Sequence, residues 1–169
     1  MLCWSKESIT PVITPGFYSP NSSITIAYDV TGTPLANLSD AFAWVWIPGK
    51  NVDSKYNVNP ASADVSGTNN VKFVKSVAAG RTVFTLSVVP ATLFDSDITA
   101  ETQFGILLKG NDWSNGQTTD HIATFWSGNF ELKLTAPVQE TFFGSEGDEL
   151  SITAETRWPL TISYLQMAT

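Results

Sequence analysis

Hydrophobic and polar residues alternate along much of this chain with a period of two. Between residues 22 and 30 the side chains of Ile24, Ile26, Tyr28 and Val30 are apolar, and those between them are polar or small. This alternation is typical of a β-strand that buries one face in a core. Comparable runs, bounded by Gly, Pro or Asn, predict further strands at residues 9–14, 71–77, 82–89, 104–109, 121–125 and 130–134.

One apolar run departs from alternation. Residues 41–47 are apolar throughout and end at Pro48 and Gly49, which predicts a central strand buried on both faces. Trp44 and Trp46 lie two positions apart, so both point to one face of this strand. Trp44 is expected in the core. Trp46, beside the turn, is a candidate for stacking on a ligand.

The spacing of these strands predicts the domain organisation. About seven or eight strands precede residue 135 and no helical period of ten or more residues is visible, so residues 1–135 are expected to form an antiparallel immunoglobulin-like β-sandwich. Residues 136–169 are expected to form the first strands of a second immunoglobulin-like module, with strands at 150–154 and 160–165 around a turn at 144–148. We expect a segment beyond Thr169, or another chain, to complete that module.

Composition narrows the class of partner. Charged residues make up 15% of the chain, the net charge is −7, and the nine basic residues form no cluster, so nucleic acid is not expected as a partner. No apolar run approaches the length of about 18 residues that would predict a membrane span. The start of the chain lacks the basic and apolar segments of a signal peptide, so export by that route is not expected. Residues 2–4, which include the single cysteine Cys3, form an apolar tip.

A polar loop carries the best candidate for ligand binding. Asn111, Asp112 and Trp113 precede an Asn-Gly pair. An indole can stack on a pyranose ring while amide and carboxylate groups bind its hydroxyls, so these residues and Trp46 are the candidate glycan site. The alternative is an ordinary loop with turn chemistry.

Other chemistry has weaker support. Asp95, Asp97, Asp112 and Asp120 could supply oxygen ligands to Ca²⁺, but their spacing matches no EF-hand loop and aspartate is common in turns. His121 is the single histidine, and no Gly-x-Ser-x-Gly elbow is present. We therefore predict no catalytic residue, no metal site and no cofactor.

Two stretches resemble a known family. Residues 12–29 combine a strand, a Pro-Gly-Phe turn and an alternating strand that ends in Tyr28-Asp29, and residues 106–113 combine a strand with the Asn-Asp-Trp loop. Both are similar to the starch-binding-like β-sandwich modules of secreted amylase-type enzymes and outer-membrane glycan-binding proteins. The resemblance implies a sandwich fold and glycan binding. The residues after Ala136 resemble the next immunoglobulin-like module of such tandem arrays.

Two functions are expected from these observations. The first is a non-catalytic structural protein of a bacteriophage virion, a head-decoration or fibre protein on the virion surface that contacts other virion proteins or copies of itself. A start without a signal peptide and a fold that stops before its second module is complete favour it. The alternative is a carbohydrate-binding module of an extracellular or bacterial cell-surface protein, with cell-surface glycans as partners.

Overall fold

A computed structural model of the chain describes residues 6–51, 55, 71–128, 132–136 and 153–156. The chain divides into two compact units, Met1–Ser127 and Gly128–Thr169, which are described separately. The domain ranges 1–135 and 136–169 stay a prediction. Four predicted features lie wholly or mostly outside the described residues: the turn at 144–148, the strand at 160–165, the apolar tip at 2–4, and a long polar connection that the sequence predicts at 49–70.

The described part of the first unit is built from strands and short 3₁₀ turns. The 3₁₀ turns are Pro34–Asn37, Pro90–Leu93 and Trp113–Asn115. The strands are β1 (Lys6–Glu7), β2 (Val12–Thr14), β3 (Ile24–Asp29), β4 (Phe42–Trp46), β5 (Val74–Ala78), β6 (Arg81–Val88), β7 (Gln103–Lys109), β8 (Gln117–Thr118) and β9 (His121–Thr124).

These strands form two sheets. The larger sheet has the order β1-β8-β7-β4, and β9 also pairs with β7; the smaller sheet has the order β2-β3-β6-β5. Neighbouring strands are antiparallel except β1 and β8, which are parallel. The prediction of an all-β, mainly antiparallel, sandwich-like fold is confirmed. The short strands β1 and β8 were not predicted.

Buried residues of both sheets pack into one core. The four apolar residues predicted to share a face of β3 and its extension, Ile24, Ile26, Tyr28 and Val30, are all buried. They pack in one cluster with residues of the larger sheet, including Val45 and Phe104. The core therefore lies between the two sheets, as the period-two alternation predicts.

The hairpin between β5 and β6 sets the register of the smaller sheet. Its two turn residues, Ala79 and Gly80, have φ angles of 50° and 76°, and Ala78 pairs with Arg81. Two positive φ angles in a two-residue loop are the geometry of a type I′ turn, whose twist matches that of the flanking strands. This turn lies between the strands predicted at residues 71–77 and 82–89, and it places Arg81 where its Nη2 contacts Asp29 at 2.6 Å.

The prediction that β4 is buried on both faces is wrong. Val45 and its neighbour Ala43 are fully buried, but Trp44 and Trp46 are half-buried and lie outside the core cluster. A wholly apolar run does not distinguish a strand between two layers from one whose outer face carries large aromatic groups. The expected place of Trp44 in the core is corrected in the same way.

The second unit is described at two strands. β10 (Leu132–Ala136) pairs in antiparallel fashion with β11 (Thr153–Thr156), with an irregularity in the register between Leu134 and Ala136. The strands expected at residues 130–134 and 150–154 overlap β10 and β11 within the described residues. That this unit opens an immunoglobulin-like module stays a prediction.

Candidate functional site

The register of β4, β7 and β9 places a set of apolar residues on the outer face of the larger sheet. Trp46 lies opposite Gly105, which in turn lies opposite Ile122 of β9, and Trp44 lies opposite Leu107. Residues directly opposite each other in an antiparallel pair share a face. We call this surface the aromatic face. Its members, with Trp113 from the adjoining turn, are Trp44, Trp46, Gly105, Leu107, Trp113 and Ile122.

The indole of Trp46 lies across Gly105. A Cβ atom added to Gly105 would lie 2.1 Å from Cε2 of Trp46 and 2.4 Å from Cζ2, so the space of a side chain at residue 105 is filled by the indole ring. A glycine inside a strand allows such a close approach. Ile122, on the far side of Gly105, is 43% exposed. The ring of Trp46 therefore packs on the backbone of β7, and the residue remains partly exposed.

A second aromatic group lies beside it on β4. The rings of Trp44 and Trp113 are 5.4 Å apart between centroids, at an interplanar angle of 65°. Leu107, opposite Trp44, is only 4% exposed although it does not belong to the core between the sheets. Trp44 is its directly opposite neighbour on the same face of the sheet.

A short turn holds Trp113 in place. The carboxylate of Asp112 accepts a hydrogen bond from the backbone N–H of Ser114 at 2.7 Å, which caps the 3₁₀ turn Trp113–Asn115. The N–H of Gly110 donates to the carbonyl of Gly116 at 3.0 Å and closes the loop. Hydrogen bonds from Ser114, together with the charge of Lys109, lower the pKa of Asp112. This carboxylate is therefore a structural cap that stays ionised at neutral pH.

Lys109, the last residue of β7, lies beneath this turn. Its side chain has no exposed surface, and its Nζ lies 4.5 Å from the centroid of the Trp113 ring. The same ammonium donates to the backbone carbonyl of Asn111 at 3.3 Å. Burial lowers the pKa of Lys109 to about 8, while the charge of Asp112 acts in the opposite direction.

The structure brings some of the predicted glycan-site residues together. Trp113 contacts Trp44, which shares a face of β4 with Trp46, and Asn111 and Asp112 lie in the turn that carries Trp113. The side chain of Asn111 is exposed.

Sequence reasoning missed two residues of this site, Gly105 and Lys109. A glycine inside an apolar strand is a sequence signal for close approach by another group, and a lysine that ends an otherwise apolar strand was a second available signal.

The other candidate groups are engaged elsewhere. Asp97 accepts a hydrogen bond from the N–H of Thr99 at 2.8 Å, and Asp120 lies 3.6 Å from Nζ of Lys6. Within the described part of the chain, no three His, Cys, Asp or Glu residues are placed to hold a metal ion, so the aspartates considered for Ca²⁺ do not assemble. His121 is half-buried opposite Ile106, and burial lowers its pKa.

Comparison with protein-family models and with curated proteins finds no match for this chain. No helix among the described residues is long and apolar enough to cross a membrane. The functional argument therefore depends on the geometry of the aromatic face.

Proposed function

We propose that this protein is a non-catalytic binding module that takes a neutral glycan on its aromatic face. The observation that carries the proposal is the position of Trp46, whose indole lies across Gly105 and whose side chain remains partly exposed. A ring supported in this way presents a rigid apolar surface at little cost in side-chain entropy when a ligand binds. The C–H groups on one face of a pyranose are complementary to such a surface.

The surroundings of the ring favour a neutral ligand over an acidic one. The protein carries a net charge of −7, which repels polyanions at long range. At the Trp113 turn the carboxylate of Asp112 is ionised, and the nearby cation, Lys109, is fully buried. The resemblance of residues 12–29 and 106–113 to starch-binding-like modules supports the same class of ligand.

An immunoglobulin-like topology is part of this proposal. The smaller sheet has the order β2-β3-β6-β5, and in the larger sheet β7 pairs with β4 and also with β8 and β9. If β2 to β7 are strands A to F, and β8 with β9 is strand G, these are the ABED and CFG sheets of an immunoglobulin-type sandwich. The aromatic face is then the outer surface of the CFG sheet.

Affinity gel electrophoresis tests the proposed function. We expect soluble starch in the gel to retard the wild-type protein, and polygalacturonate to leave its mobility unchanged. Trp46→Ala should abolish most of the retardation, since stacking on one aromatic ring contributes on the order of 1 kcal/mol or more. Val77→Ala is the matched control, because Val77 is an apolar residue, 68% exposed, on the smaller sheet. Equal retardation of Trp46→Ala and wild type would contradict the proposal.

A structural role in a bacteriophage virion is the second proposal. What supports it is an uncharged row across the outer face of the smaller sheet, in which consecutive strands pair Val12, Ala27, Thr85 and Val74. Val12 and Val74, at its two ends, are 67% and 71% exposed. Such a face could contact a neighbouring subunit. Analytical ultracentrifugation should then show self-association that Val74→Asp disrupts, and a strictly monomeric protein would count against assembly with copies of itself.

A further inference from the structure

The geometry points to Lys109 as the positioning residue of the aromatic face, which holds the Trp113 turn in the arrangement that allows Trp113 and Trp44 to contact a ligand. This inference rests on the glycan-binding function proposed above. Lys109 is not expected to touch the ligand, because its side chain has no exposed surface. Its effect on binding would pass through Trp113.

The ammonium of Lys109 interacts with three consecutive residues of the turn. It lies 4.5 Å from the ring centroid of Trp113 and 3.3 Å from the carbonyl oxygen of Asn111, and it attracts the carboxylate of Asp112. A cation over an indole is favourable, and more so when both groups are shielded from water. Since β7 is a central strand of its sheet, the lysine anchors the Trp113 turn to a strand that is hydrogen-bonded on both sides.

The burial of this amine argues for a specific role. An ammonium without exposed surface loses most of its hydration, and an unbranched apolar side chain of similar length would fill the same space without that cost. Methionine is such a side chain. A charged group at this position is explained by the groups that it contacts, and these include Asn111, Asp112 and Trp113 of the turn.

Replacing Lys109 with methionine separates the charge from the packing. We expect Lys109→Met to raise the apparent Kd for soluble starch, obtained from the retardation, by about five- to tenfold. This change corresponds to the loss of one cation–π contact. We also expect the emission attributable to Trp113 to change, when it is isolated as the difference between each protein and its Trp113→Phe counterpart. Lys109→Arg, which keeps the charge and can stack on the indole, should recover part of the binding.

Arg81→Met is the matched control. Arg81 contacts Asp29 on the smaller sheet, so its replacement removes one positive charge without touching the aromatic face. We expect it to bind starch like the wild type.

The possible outcomes test the positioning role of Lys109 and the glycan-binding function separately. If wild type binds starch and Lys109→Met binds equally well, the positioning role is wrong while the proposed function stands. If wild type binds none of the polysaccharides, the proposed function is wrong, and the emission of Trp113 still tests the contact: an unchanged difference spectrum in Lys109→Met overturns it. Should Lys109→Met fail to fold, Lys109→Arg decides, since folded Lys109→Arg without starch binding would also overturn it.

Discussion

Replacing Gly105 with alanine is expected to displace the indole of Trp46 and to weaken folding and ligand binding together. A Cβ atom at residue 105 would lie 2.1 Å from Cε2 of Trp46, far inside van der Waals contact. The clash involves the rigid body of the ring, which cannot yield as the tip of a flexible side chain would. Forcing an extra carbon into a packed site costs about 1–3 kcal/mol. Urea unfolding should show this loss, and retardation by soluble starch should decrease as well.

A double-mutant cycle tests whether the clash with Trp46 causes the loss of stability in Gly105→Ala. In a Trp46→Ala background the clash is absent, and alanine at residue 105 lowers the conformational entropy of the unfolded chain, which stabilises a protein by about 0.4–1 kcal/mol where the backbone allows it. The residue lies within β7, in an extended conformation that alanine can adopt. We therefore expect the effect of Gly105→Ala on the free energy of unfolding to change sign. It should be destabilising in the wild type and neutral or stabilising in Trp46→Ala. Additive effects would show that the indole does not occupy this space.

The strands of this fold follow from local patterns. The alternation at residues 22–30 predicts the buried face of β3, because a strand exposes successive side chains to opposite sides. The sequence Ala79-Gly80 between two apolar runs predicts the hairpin of β5 and β6, because glycine accepts a positive φ angle. Both are decided by residues near each other in the chain.

The candidate site depends on contacts between distant residues. The residue types at Trp46 and Trp113 suggest ligand binding from the sequence alone, but their placement depends on which residue of β7 lies opposite Trp44, a register set by long-range pairing. The same pairing brings Trp46 onto Gly105 and Trp44 against Trp113. A pattern of apolar residues therefore predicts that 41–47 form a strand, but not that one of its faces lies outside the core.

Replacing Phe104 with alanine should have the largest effect on stability. Phe104 is fully buried, and its ring stacks on that of Phe125 at 5.3 Å between centroids. Phe125 in turn contacts Tyr18 edge-on at 5.9 Å, so the truncation opens a cavity beside this pair of aromatic rings. Such replacements cost about 3–5 kcal/mol, against a total stability of about 5–15 kcal/mol for a typical domain. The midpoint of urea unfolding should therefore decrease strongly.

The adjacent positions of β7 give the control that makes this result informative. Gln103 precedes Phe104 and points to the opposite face, opposite Thr124, so Gln103→Ala should change the free energy of unfolding by less than about 1 kcal/mol. A loss of similar size at both positions would contradict the assignment of faces in β7. Because β7 carries Phe104 inward and Gly105 outward, Phe104→Ala should reduce starch binding only in proportion to the unfolded fraction. Under conditions where the variant is folded, its affinity should equal that of the wild type, whereas Trp46→Ala should lose binding while remaining folded.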